Sequence, residues 1–188
     1  MADRISAREI AMLAGGMAAG IIGSRLLPPL LVQAVGSVRS RFGEDPFEPL
    51  IRDHRYIVSV LNDMENVSAG STVHRMKLYL SLKRTLAKHA MAEEDVVYPL
   101  LHDEGGDPQS SKHLYSEHAD MKIHLYELEQ LIKKSEDWTA NVRSLRDLIQ
   151  KHIHEEEQVE FPKLRRMLDE HRNGILARHI RREEAMVL

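Results

Sequence analysis

Four stretches of this chain place apolar residues at alternating steps of three and four, a period that only an α-helix turns into a continuous stripe. The stripes read Leu50, Ile57, Leu61 and Met64; Leu78, Leu82, Leu86, Val96 and Leu100; Leu114, Met121, Leu125, Leu128 and Ile132; and Leu145, Ile149 and Val159. Helix-start and break signals divide them. Asp45-Pro46 opens a first helix to about Val67, and "SAGST" ends it; Ser71 or Thr72 opens a second, ending near Leu101 before "DEGGDP". Asp107-Pro108 starts a third to about Lys134, and Asp137 caps a fourth reaching about Leu168. "HRNG" then leads into a short fifth helix from about Ile175. Four long helices with short connections predict an all-α, up-down-up-down antiparallel four-helix bundle over residues 45–170, with 171–188 as a short C-terminal helix.

Composition agrees. Only 5% of the 188 residues are aromatic, and the net charge of −3 with neutral histidines gives no bulk attraction for nucleic acid. The chain has no cysteine, which removes disulfides, thiolate zinc sites and iron–sulfur ligation.

Each stripe is interrupted by ionisable side chains at inward positions: His54; His89 with Glu93; His118; and His152 with Glu156. An unpaired buried carboxylate or imidazole loses roughly several kcal/mol of hydration, and two buried carboxylates also repel. An internal hydrogen-bond network is one solution. A cation is a better one, because it neutralises the acids and uses the imidazole lone pairs. A His and a Glu four apart on a helix reach one metal, or two metals with the carboxylate bridging. "KHAMAEEDVVYP" at 88–99 and "KHIHEEEQVEFP" at 151–162 duplicate that pair, as a dinuclear site requires. Glu94, next to the pair, has orienting a ligand imidazole only as its lesser alternative, and His154 and Glu157 read as solvated surface. His74, His102, His113, His124, His171 and His179 fall outside the stripes, and Met64, Met91 and Met121 read as core filler.

Residues 1–44 differ in character and read as a hydrophobic N-terminal extension, with a helix as one expected form. Ile10–Ser24 and Leu26–Val38 are uncharged runs on either side of Arg25, each shorter than the roughly 20 residues that span a bilayer. Three readings stay open: an extension packed on the main domain or on a second copy, a membrane-surface anchor, and a targeting segment. The expected location is cytoplasmic, with membrane association through this segment as the variant.

With these motifs in view, the chain resembles the hemerythrin-like (HHE cation-binding) family across about residues 46–168, on "RDHR", "KHAMAEEDVVYP", "YSEHADMK" and "KHIHEEEQVEFP". The resemblance implies two iron ions in a non-haem centre bridged by Glu93 and Glu156, with His54, His89, His118 and His152 as the other metal ligands. Oxygen-carrying members place two histidines four apart on the third helix; here the positions around His118 are Leu114 and Lys122. Glu156 stands where those carriers use an aspartate one residue further on. The set is closer to the carboxylate-richer branch, which includes iron-sensing and nitrosative-stress-linked proteins, and Tyr115 is a candidate for packing or for an additional ligand.

The functional expectation is a di-iron protein that binds a small diatomic or peroxide (O2, NO or H2O2) in sensing, stress response or detoxification. The alternatives are an iron-dependent sensor or interaction module, and iron storage or delivery. Binding and turnover need the same ligands, so the sequence does not say whether the protein is an enzyme.

Overall fold

The computed structural model describes residues 45–68, 70–106, 108–133 and 137–187, and the N-terminal expectations lie outside them. Among the described residues every regular element is helical: α1 Glu48–Asn66, α2 Thr72–Ala92, α3 Tyr98–Asp103, α4 Pro108–Leu131, α5 Trp138–Glu155, α6 Phe161–Met167 and α7 Glu170–Glu184. Two single wide turns, Glu93–Val97 and Glu156–Glu160, join α2 to α3 and α5 to α6. The long rods are therefore α1, α2–α3, α4 and α5–α6, the predicted up-down-up-down bundle. Around it, α1 packs on α2 and α5, α4 packs on α5, and the seam between α2 and α4 is the loosest.

The start signals act through local bonds. Asp45 Oδ1 accepts from the Phe47 amide at 3.2 Å, while the other oxygen takes the Arg165 guanidinium at 2.6 Å, tying the entry of α1 to α6. Between α3 and α4 the chain turns at Gly105 and Gly106. A Cβ at Gly105 would lie 2.3 Å from the Leu101 carbonyl oxygen, and Gly106 has φ +69°. Asp137 marks the start of α5 without capping it: it sits at φ 66° and its side chain makes no cap bond. The neighbouring Trp138 does the anchoring, fully buried with Nε1 donating to the Met64 carbonyl at 2.9 Å. The last helix begins earlier than "HRNG" suggests, because Asp169 accepts from the Arg172 amide at 2.8 Å and caps a helix that runs straight through Gly174.

The wide turns correct the predicted stripes. One extra residue per turn delays every later position by about one place, about 100° of helix rotation. Val97 and Leu101 are buried where Val96 and Leu100 are expected, and Val159 is 51% exposed while Glu160 and Phe161 are buried. Leu78 is only half-buried, its place taken by Tyr79.

Two apolar clusters fill the bundle. One holds Ile57, Leu61, Leu82, Leu125, Trp138 and Leu145; the other holds Phe47, Leu50, Tyr98, Leu114, Phe161 and Leu164, closed by Leu176 and Ile180 of α7. Each such side chain contributes roughly 1.5–3 kcal/mol through burial. Between the clusters lies a polar layer.

Candidate metal centre

That layer is built by position in each rod. His54 lies between Leu50 and Ile57 in α1, and His118 between Leu114 and Met121 in α4. His89 and His152 stand one turn before Glu93 and Glu156, which open the two wide turns. All six side chains are at most 2% exposed and all six come together. His54, His89, Glu93 and Glu156 form one group of donor atoms; Glu93, His118 and His152 form a second. Glu93 Oε2 lies 3.1 Å from His89 Nε2 and 3.4 Å from His118 Nε2. Glu156 Oε2 lies 3.2 Å from His54 Nε2 and 3.5 Å from His152 Nε2. Each carboxylate thus spans both halves of the layer.

The imidazoles are oriented from behind. His54 Nδ1 donates to Glu157 at 2.7 Å, His118 Nδ1 to Glu94 at 2.9 Å, and His152 Nδ1 to Glu117 at 2.9 Å. An ionised carboxylate only accepts, so it holds the proton on Nδ1 and turns the Nε2 lone pair inward. Glu157 is accordingly not the free surface acid expected, and Glu94 takes the role that was only its lesser alternative in the sequence. Glu117, 3% exposed, is a supporting residue that sequence reading missed. Its signal lay one position before His118, where a strict stripe has no inward place. Lys151 Nζ pairs with the same carboxylate at 2.9 Å, and His113 lies 3.2 Å away. Burial pushes Glu117 up, but the bonds from His152 and Lys151 outweigh it and bring the carboxyl down to about 2.

Tyr98 was also missed. Its hydroxyl donates to Glu156 Oε1 at 2.8 Å and lies 3.0 Å from His118 Nε2 and 3.4 Å from Glu93 Oε2. Five residues past Glu93, a phenol would miss the seam on a regular helix; the wide turn brings it in. Burial, then the charges of Glu156 and Glu93, push its pKa far up, so it stands as a neutral donor. Tyr115 instead bonds the Glu94 carbonyl at 2.6 Å and stacks edge-on against Tyr98.

Protein contacts alone do not satisfy this layer. Glu93 Oε1, Glu156 Oε2 and His89 Nδ1 are buried without a hydrogen-bond partner among the described residues. Facing nitrogens are 3.0 Å apart for His54 and His89, and 3.2 Å for His118 and His152. Two donors each about 2.1 Å from one ion, at right angles, stand about 3.0 Å apart. Burial and then repulsion from Glu156 raise Glu93 well above the ordinary carboxyl range. Burial would raise Glu156 too, but His152 and His54 hold it low. The donor set of four imidazoles and two acids fits divalent transition metals, and its orphaned oxygens fit bridging carboxylates.

A helical bundle whose middle is a buried layer of convergent imidazoles and carboxylates is the architecture of a cation-binding protein. The Hemerythrin HHE cation binding domain matches residues 45–164, and the chain belongs to that family. It is 28% identical over 145 residues to an uncharacterized hemerythrin-like protein of Schizosaccharomyces pombe, covering 74% of this chain and 69% of that one. It is 29% identical over 116 residues to a DNA nickase of Nostoc sp., covering 62% of this chain but only 32% of the nickase. No solved structure matches. Among the described residues, no helix is long and apolar enough to cross a membrane.

Proposed function

We propose that His54, His89, Glu93, His118, His152 and Glu156 hold two iron ions, with Glu93 and Glu156 bridging, and that the centre binds a small diatomic or peroxide. The observation that carries this reading is the inward convergence of four Nε2 atoms on two buried acids, with three imidazoles fixed from behind by carboxylates. Iron is the metal the family resemblance suggests, and the mixed nitrogen and oxygen donors suit it. Such ions, when bound with coordination positions open, supply redox chemistry towards O2, NO or H2O2. The chain's own part is distinct: Glu157, Glu94 and Glu117 orient the imidazoles, the two apolar clusters keep water out, and the Tyr98 hydroxyl holds a proton beside Glu156.

The location we propose is cytoplasmic, with residues 1–44 available for membrane-surface or self-association. Nucleic acid is not among the partners we propose. The likeness to the nickase covers a third of that protein, and the net charge here is −3.

The full chain, reconstituted anaerobically with ferrous iron, should retain about two irons and change its near-ultraviolet spectrum on exposure to air. Retention should fall as pH falls. In the metal-free protein burial lowers the pKa values of His54 and His152, but the neighbouring acids raise them more, so protons compete for the Nε2 atoms. A stoichiometry near zero at pH 7.5 would overturn the assignment.

A further inference from the structure

The loose seam between α2 and α4 opens into a cleft of about 400 Å3. Leu86, Ala87, Ala90 and Met91 form one wall, Met121 and Leu125 the other, and His118 lies at its inner end. The small Ala87 and Ala90 leave the space. Its volume is within the roughly 300–1,000 Å3 of small-molecule pockets and an order of magnitude above the roughly 30 Å3 share of a water-sized ligand. A diatomic gas does not need such a chamber.

Charge at the rim narrows the class of occupant. Lys83 is held by Glu129 at 3.0 Å, and Lys122 by Glu94 at 3.0 Å. The other rim acid, Asp95, is exposed and repels anions. An anionic amphiphile would have to break one of these ion pairs to find a cation, whereas an uncharged molecule would disturb neither. Glu94, which lines the cleft, is the same carboxylate that orients His118. The cleft therefore adjoins the second donor group, the one with three donors where the first has four.

We propose that this cleft is a binding site for an uncharged, apolar organic molecule, held beside the His118 half of the centre. N-phenyl-1-naphthylamine, a neutral fluorescent probe, tests it on the metal-free full chain. About one equivalent should bind with enhanced emission, and dodecanol should displace the probe at least tenfold better than dodecanoate. Ala90→Trp, at the half-buried cleft wall, should weaken probe binding at least tenfold while leaving helicity and iron stoichiometry unchanged. Absent enhancement in the wild type, unchanged affinity in Ala90→Trp, or equal competition by dodecanoate would each overturn the site. The link to the centre rests on the metal reading above: filling the cleft with dodecanol should shift the near-ultraviolet band of the iron-loaded protein. No shift in protein that holds two irons and binds the probe would sever that link. A protein that binds the probe but no iron would leave the cleft standing and remove the metal reading alone.

Discussion

The two copies of the Lys-His-x3-Glu motif are nearly interchangeable as strings and are not interchangeable in the folded protein. Both place a histidine and a glutamate one turn apart, and both open a wide turn at the glutamate. Five residues on, the first copy brings in Tyr98, whose hydroxyl bonds Glu156, and the second brings in Phe161, which stacks on Phe47 at 4.6 Å and lies parallel to the His54 ring. His152 of the second copy is braced by Glu117, while the outer nitrogen of His89 in the first is buried without a partner among the described residues. The motif lysines diverge as well: Lys151 joins the brace on Glu117, and Lys88 pairs with Asp53 at 2.7 Å beside the C-terminal helix. The surroundings act on the two acids in opposite directions, burial and the charge of Glu156 raising Glu93 while His152 and His54 hold Glu156 low. The lesson is that a duplicated motif fixes the donors, while the facing helices fix how each donor behaves.

The brace offers the largest test of this asymmetry. Glu117→Gln or Glu157→Gln should each weaken iron retention about 10- to 100-fold, measured by competition with a chelator, because the oriented, more basic imidazole is lost. His89 has no such partner to lose, so an effect confined to the His54, His118 and His152 side would sharpen the contrast. Wild-type retention in both variants would break it.

Exchanging the aromatic residues is next in size. Tyr98→Phe makes the first copy like the second and strips Glu156 Oε1 of its donor; the metal-free protein should lose about 1–2 kcal/mol in urea unfolding. Phe161→Tyr should cost a similar amount by placing a hydroxyl among Phe47, His54 and the apolar cluster. Neutral outcomes for both would show that the aromatics are equivalent.

The smallest effect belongs to the cover over the first copy. Burial, then the charge of Asp53, raises Glu184 to about 7, although Lys88, Arg52 and Arg181 oppose the shift. The folded protein then binds a proton that the unfolded chain releases, so this group's contribution to stability is full below 4.5 and is lost as pH rises through about 7. The shift corresponds to about 3 kcal/mol at most, and partial exposure reduces that to about 1 kcal/mol. Glu184→Gln should flatten the loss of thermal stability between about pH 4.5 and 7, and an unchanged slope would remove Glu184 from the account.

Much of the architecture was legible in the chain because helix period, Asp-Pro starts and Gly-rich breaks are local signals. His54, His89, Glu93, His118, His152 and Glu156 were legible for a related reason: an ionisable residue in an apolar stripe is conspicuous wherever the stripe is regular. What stayed hidden followed from irregularity. Two wide turns shifted the frame by one residue, exchanging Val96 for Val97 and Val159 for Glu160, and bringing Tyr98 rather than Tyr115 to the donors. Glu117 and Glu157 were hidden because each is defined by a histidine on another rod, 35 and 103 positions away.

By itself, then, the sequence determined four rods, their inward faces up to the wide turns and the six ionisable side chains that interrupt them, since these depend on spacings within a single helix. Tertiary structure alone decided which carboxylate braces which imidazole, that burial raises Glu93 while His152 and His54 hold Glu156 low, and that the seam between α2 and α4 stands open. Those properties depend on distances between helices and on withdrawal from water, and neither exists until the rods have packed.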